Sequence, residues 1–386
     1  MLMTSLRNVR LALFAGCLLT AAVPFVASGQ LTLVIWATGF HDPAVLTRYR
    51  LSTLPPQAFE ADIRKALDEG QIVEAQQLVA LASEFGHTVP ADLSERAQEA
   101  PLEFGIRNAS EFLKGVLDGD TSSVLAISGS LAADYIGIGD VRDTVTQGAL
   151  LVRGEEYDQI TLGLAVFGLA TVLPGTGPLD MTASLFKNAN RAKRISQPLR
   201  AKVLLSTSQL TDAQVLKASL SELSDKAIRT PSISAATRSL RAADWTAVAR
   251  GDFASLGESL RALRPVDISS ASAAVKKSIR PEKAQELQSL LQSASSVISN
   301  GGVAAGFKSM ELADDARELS RFGKVASSLG DKTSAALRLL GKNSIKLGKL
   351  AYQLAAIFVA TTIWLAGLLF FLRDMSHLFW RQKTDI

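Results

Sequence analysis

A long uncharged segment near the carboxyl end constrains the fold more than any other feature of this sequence. Residues 350–372 are 23 consecutive residues without a charged side chain, with lysines before them and arginines after them. As a helix this segment would be about 34 Å long, and the hydrocarbon core of a bilayer is about 30 Å thick. The sequence therefore predicts a transmembrane helix here, with a helix buried in a soluble protein as the alternative.

A second uncharged segment, residues 11–40, lies near the amino end and follows Arg7 and Arg10. This arrangement is typical of a signal anchor or a signal peptide whose basic end stays in the cytoplasm. The small residues at 27–29 suit cleavage after Gly29, but the apolar run resumes directly after them. We expect a retained anchor that bends near Pro24 or Gly29, with a cleaved signal peptide as the alternative.

A third apolar segment, residues 159–179, lies in the middle of the chain and also has no charged residue. The proline- and glycine-rich residues 174–178 interrupt it, so that only about 14 residues are continuously compatible with a helix. A run of that length is more typical of a buried core helix or a re-entrant segment than of a full span. A third transmembrane span stays open as the alternative.

The composition limits the chemistry that the chain can carry out. Cys17 is the single cysteine and there are three histidines, far apart in the sequence. An intramolecular disulfide and a cysteine-based zinc site are therefore excluded, and no cofactor is predicted. The net charge is +4, with Lys and Arg interspersed among Asp and Glu, whereas a nucleic-acid-binding protein would cluster its basic residues on one face.

Between the apolar ends the apolar residues recur with helical spacing, and no strand pattern persists past residue 40. Phe59, Ile63 and Leu67 fall on one helix face, and Gly70 and Gly86 follow two such helices. The pattern predicts an αα-hairpin between residues 56 and 90. A further amphipathic helix is predicted to end at residue 330.

These patterns predict an all-α helical membrane protein with terminal transmembrane helices and an irregular helical bundle between them. Five regions follow from the sequence. They are a signal anchor or signal peptide (1–40), a helical hairpin region (41–120), an apolar helical module that includes the third apolar segment (121–204), an amphipathic helical region (205–345), and a transmembrane helix with a short basic tail (346–386).

Three aspartates form the candidate site. Asp134, Asp140 and Asp143 lie in an apolar context, and the last two share a helix face. Carboxylates in apolar surroundings can acquire raised pKa values and act as acids. In the alternative, Asp140 caps a helix that begins at Val141, and Arg142 or Arg153 pairs with a neighbour. The three aspartates are therefore predicted to form a structural or functional turn.

Basic residues follow the third apolar segment. Lys187, Arg191, Lys193 and Arg194 have the spacing expected of a flank at the edge of a membrane. Because anionic lipid head groups attract clustered Lys and Arg, we expect these four side chains to contact the membrane surface.

Residues 134–194 resemble a known bacterial module. Asp134-Tyr-Ile-Gly-Ile-Gly-Asp140-Val-Arg-Asp143 precedes Gly148, the apolar helix, Leu173-Pro-Gly-Thr-Gly177 and the basic residues 187–194. This order is similar to that of the hydrophobic pre-toxin module of polymorphic toxins, in which a Gly-Asp-x-x-Asp turn precedes an apolar helix, a Gly/Pro break and a basic segment. The resemblance implies a module that sits before a toxin domain and helps it to reach or cross a membrane.

No catalytic constellation is evident in the sequence, so we expect a protein that is not an enzyme. The first hypothesis is a membrane-anchored helical interaction or scaffold protein of the bacterial inner membrane, with a cytoplasmic N-terminus. Its expected partners are the lipid bilayer and other envelope proteins, not nucleic acid. Two alternatives remain: a membrane-active, toxin-like effector that inserts residues 160–173, and an envelope hydrolase that uses the aspartate cluster.

Overall fold

The computed structural model describes residues 14–16, 25–98, 138–171, 177–224, 272–273 and 275–384. Within these ranges the regular secondary structure is helical, and there is no β-strand apart from one isolated antiparallel bridge between Thr211 and Ile279. The all-α prediction is confirmed for this part of the protein.

The described helices are numbered here in chain order. They are α1 (Gln30–Ala37), α2 (Pro43–Ser52), α3 (Pro56–Asp68), α4 (Ile72–Glu84), α5 (Ala91–Arg96), α6 (Ile138–Arg153), α7 (Gln159–Thr171), α8 (Gly177–Arg191), α9 (Gln197–Leu210), α10 (Ala213–Ser224), α11 (Pro281–Leu312), α12 (Ala316–Leu329), α13 (Thr333–Leu340) and α14 (Lys349–Thr384).

The chain divides into two compact units, and the first joins the two ends of the sequence. It consists of Met1–Tyr49 and Lys346–Ile386. Its longest helix is α14, whose apolar part Lys349–Arg373 is 25 residues long and is not buried inside the protein. Within the described residues this is the one helix that is long and apolar enough to cross a membrane.

The amino-terminal part of the first unit is helical on both sides of a break at Gly29. This glycine has a φ of 73°, a left-handed conformation that glycine adopts without steric cost, and α1 begins directly after it. The expected bend is therefore present at Gly29. Pro24 lies outside the described residues.

The second unit, Arg50–Ile345, contains the predicted αα-hairpin. Helices α3 and α4 form its two arms, and Gly70 and Gly86 follow them with φ angles of 71° and 77°. Phe59 and Ile63 are buried, as their spacing predicts. Arg338 of α13 donates hydrogen bonds to acidic side chains of this hairpin, which ties it to the rest of the unit.

Helix α7 lies at the centre of the second unit and is the third apolar segment of the sequence. Its residues from Ile160 to Leu169 are buried, and it packs against α6, α8 and α9. With 13 residues it is about 20 Å long, which is shorter than the hydrocarbon core of a bilayer. Of the alternatives that the sequence left open, the structure shows the buried core helix.

The carboxyl-terminal part of the second unit packs around α11. This 32-residue helix begins at Pro281 and bends where Gly302 adopts a φ of 78°. Helices α8, α12 and α13 pack against it. Helix α12 buries one face and ends at Gly330, which confirms the amphipathic helix predicted there.

Candidate functional site

A buried cluster of charged side chains joins α6 to α8. The Lys187 ammonium nitrogen lies 2.5 Å from Asp140 Oδ1 and 3.1 Å from Asp143 Oδ2. Arg191, one turn further along α8, lies 2.6 Å from Asp143 Oδ1 through its Nη2. We call Asp140, Asp143, Lys187 and Arg191 the acid–base cluster.

Helical spacing explains why these four side chains meet. Asp140 and Asp143 are three residues apart on α6, and Lys187 and Arg191 are four residues apart on α8, so each pair lies on one face of its helix. The two helices are positioned by α7, which connects with both and packs against both.

Three of the four side chains in the cluster are almost completely removed from solvent. The side chain of Lys187 is 0% exposed, and those of Asp140 and Asp143 are 4% and 5% exposed. An isolated charge at such a position would be strongly destabilised by the loss of its hydration, so the two aspartates and the lysine are mutually dependent.

The pKa of Asp143 is lowered well below its ordinary value. Burial alone would raise this pKa and is the largest single effect, but the nearby charges of Lys187, Arg191 and Arg142 together outweigh it. Asp143 therefore stays ionised at neutral pH and is held between cations. A carboxylate in this state does not act as a general acid near neutral pH.

Glycine at position 168 allows the apolar helix to approach the cluster closely. A Cβ atom built on Gly168 of α7 would lie 2.1 Å from Asp140 Oδ2, which is far inside van der Waals contact. Only a residue without a side chain lets α7 pack directly over this carboxylate.

A second polar contact ties α8 to the beginning of α7. Asp158 Oδ1 accepts hydrogen bonds from the backbone N–H groups of Ile160 and Thr161, at 3.0 Å and 3.2 Å, and so caps α7. Asn190 of α8 donates to Asp158 Oδ2 at 2.7 Å, and Arg200 of α9 donates to Asn190 Oδ1 at 3.1 Å. The apolar helix is therefore fixed by polar contacts at its start and by the acid–base cluster further along.

The structure corrects the alternative that Asp140 caps a helix beginning at Val141. Helix α6 begins at Ile138, so Asp140 lies inside its first turn, and its carboxylate is bonded to Lys187. The expected arginine pairs are present: Arg142 Nε lies 3.2 Å from Asp143 Oδ1, and Arg153 pairs with Glu155. Asp134 lies outside the described residues.

The prediction that Lys187 contacts the membrane surface is wrong in this structure. The residue lies on the inner face of α8, where two carboxylates compensate its charge, and none of its side chain reaches solvent. Arg191 is 24% exposed and bound to Asp143, whereas Arg194 is 43% exposed and pairs with Glu311. Lys193 is exposed just beyond the end of α8, with a φ of 55°. Surface contact by these last three residues stays a prediction.

The sequence pattern does not predict that Lys187 pairs with the aspartates, because Asp143 and Asp140 lie 44 and 47 positions before it in the chain. The sequence does contain one relevant signal: Lys187 and Arg191 are four residues apart and follow the third apolar segment. A spacing of that kind predicts a shared helix face but does not identify what the face contacts.

Among the described residues, no group of three or more His, Cys, Asp or Glu side chains is arranged to hold a metal ion. The oxygens of Asp140 and Asp143 that approach α8 are already bonded to cations. The arrangement can fix three helices in one register and keep the Asp143 carboxylate ionised inside an apolar core.

No family model matches the chain, and no curated protein or solved structure matches it significantly. The resemblance of residues 134–194 to the pre-toxin module therefore stays a prediction.

Proposed function

We propose that this is a membrane-anchored helical protein of the bacterial inner membrane that acts by binding other envelope proteins, without catalysis. The observation that carries the proposal is the surface of α14. Its apolar part is 25 residues long, and large side chains such as Tyr352 (83%), Ile363 (68%) and Leu369 (67%) are exposed along it. A solvated helix would leave this surface in water, whereas a bilayer would bury it.

The second unit suits a binding role better than a catalytic one. The charged side chains of its acid–base cluster are paired with one another, and the lowered pKa of Asp143 keeps that group ionised. Its helices pack into a core that extends from α3 to α13. A rigid helical unit that is anchored to a membrane can present a fixed surface to a binding partner.

Cell fractionation of variants in α14 tests the anchor. We expect the wild-type chain in the membrane fraction and a Phe358→Arg, Leu365→Arg variant in the soluble or aggregated fraction, since a charged side chain near a bilayer centre costs about 2.5–3.5 kcal/mol on insertion scales. Val73→Arg with Val215→Arg is the matched control, because both valines are exposed on the second unit. Equal partitioning of all three proteins would contradict the proposal.

A second function, the toxin-like effector, is favoured by one observation. Helix α7 is apolar on all sides and is covered by α6 and α8, which the acid–base cluster holds together. Opening that cluster would free α7 to enter a membrane. Expression of Asp140→Asn, Asp143→Asn chains with a membrane-potential dye tests this function: depolarisation above that of the wild type would favour the effector, and an unchanged potential would favour the scaffold.

A further inference from the structure

The two apolar ends of the sequence contact each other at two separate levels of the first unit. At one level, the ring of Phe14 stacks on the ring of Phe371, with centroids 4.6 Å apart and planes inclined by 6°. At the other level, Leu33 and Trp36 belong to one apolar cluster with Leu350 and Leu354 of α14.

These two contacts define an antiparallel arrangement. Phe14, early in the amino-terminal segment, contacts Phe371, late in α14. Leu33, late in the amino-terminal segment, lies in one cluster with Leu350 and Leu354, which are early in α14. The 17 residues from Leu354 to Phe371 correspond to about 26 Å of helix, and Phe14 and Leu33 are 19 residues apart in the sequence. The distance between the two levels along α14 is close to the thickness of the hydrocarbon core, which is about 30 Å.

The contacts with the amino-terminal segment lie on one face of α14. Leu350, Leu354, Ile357 and Phe371 recur at helical spacing, and the first three pack against the cluster around Leu33. Leu369 lies on the opposite face, where its side chain is 67% exposed. One face of α14 is therefore covered by the amino-terminal segment, and the other is exposed.

Aromatic side chains gather at one end of this pair. The ring centroid of Tyr49 lies 5.8 Å from that of Trp36 and 5.2 Å from that of Phe40. Trp and Tyr concentrate where a membrane meets water, because their rings are apolar and their N–H or O–H groups are polar. Tyr49 and Leu347 pack in the same cluster. The chain therefore leaves the amino-terminal segment and enters α14 at this aromatic end.

We propose that the amino-terminal apolar segment is retained and crosses the membrane beside α14, as the second leg of an antiparallel hairpin. Phe14 and Phe371 then lie towards one face of the bilayer, and the rings of Trp36 and Tyr49 lie towards the other. The inference rests on the proposed anchoring role of α14 and adds the partner of its covered face. It also predicts that the chain is not cleaved after Gly29.

Cross-linking in native membranes tests the pairing. In a Cys17→Ser background, Phe14→Cys and Phe371→Cys are treated with a short bismaleimide, and an intramolecular product is detected by faster migration on a denaturing gel. Phe14→Cys with Leu369→Cys is the matched control, since position 369 lies at nearly the same depth on the opposite face. We expect the product from the first pair and at least tenfold less from the control. Equal yields, or a dimer-sized product from the first pair, would overturn the hairpin.

Two further measurements distinguish failure of the hairpin from failure of the anchor. Intact mass of the purified chain is expected to include residues 1–29, and tags placed at residue 1 and residue 386 are expected to be labelled from the same side of the membrane. Loss of the first 29 residues, or labelling from opposite sides, would overturn the hairpin even where the protein stays in the membrane fraction. A chain found in the soluble fraction would instead refute the anchoring proposal.

Discussion

At the scale of single residues, Lys187 decides whether the core of the second unit can hold two aspartates. Its ammonium group contacts both Asp140 and Asp143 in a region closed to solvent. Removing one member of a buried ion pair leaves an uncompensated charge, which is far more costly than losing an exposed pair.

Lys187→Met is therefore expected to lower the free energy of unfolding by about 3–5 kcal/mol, the range found when one partner of a buried ion pair is removed. Chemical denaturation of the full chain in detergent measures the effect. Lys277→Met is the control, because Lys277 is exposed and should change stability by less than about 0.5 kcal/mol. Equal effects of the two substitutions would show that the cluster is not a stabilising feature.

Gly168 is the second residue on which the cluster depends. A methyl group there would collide with the Asp140 carboxylate, which Lys187 holds in place. Gly168→Ala is expected to destabilise the protein by about 1–3 kcal/mol, as overpacked cores do, although alanine favours helices. Gly367→Ala in α14 meets no neighbouring atom and serves as the control in the same denaturation assay. An unchanged or raised stability of Gly168→Ala would contradict the packing described here.

Acid should weaken the second unit through Asp143. The folded-state pKa of this group lies below its unfolded value because Lys187, Arg191 and Arg142 together outweigh burial, whose effect is to raise it. Its contribution to stability is therefore fully present above the unfolded pKa, about 3.9, and is lost as the pH falls from there towards the folded pKa. Thermal unfolding between pH 6 and pH 2 should show a smaller acid loss for Asp143→Asn than for the wild type, and parallel curves would contradict this assignment.

At the scale of elements, the αα-hairpin and the acid–base cluster show what local sequence can and cannot predict. Phe59, Ile63 and Leu67 lie within three turns of one another, so their spacing alone predicts the buried face of α3. The partners of Lys187 lie on another helix, and nothing in the spacing identifies that helix. The register between α6 and α8 is set by packing around α7, which the sequence does not show.

Arg338 links α13 to the αα-hairpin, as Lys187 links α8 to α6. Its guanidinium group lies 3.0 Å from Glu69 and 3.1 Å from Glu74, with 11% of the side chain exposed. Arg338→Met should loosen α3 and α4 without unfolding the core, and so increase hydrogen exchange there by about tenfold, equivalent to about 1.4 kcal/mol. Arg96→Met, which removes an exposed pair with Asp68, is the control. Uniform exchange across both variants would contradict a local role for Arg338.

At the scale of the whole molecule, composition and helix length predict an all-α chain with a membrane-spanning candidate at its carboxyl end, and the structure agrees. The third apolar segment shows why apolar composition alone does not identify a transmembrane helix. Residues 160–169 are as apolar as a span but are buried by neighbouring helices, whereas α14 keeps its apolar side chains exposed. Burial, which depends on tertiary contacts, separates a core helix from an anchor.

Lipid-dependent quenching of Trp364 measures directly whether α14 lies in the hydrocarbon of a bilayer. Trp364 lies near the centre of Lys349–Arg373, and the other three tryptophans, Trp36, Trp245 and Trp380, can be replaced by phenylalanine. In vesicles whose lipids carry bromine atoms deep in the acyl chains, we expect Trp364 fluorescence to be strongly quenched, and more strongly than with bromine near the head groups. Fluorescence that is unaffected by either lipid would place α14 outside the hydrocarbon and contradict a membrane-anchored protein.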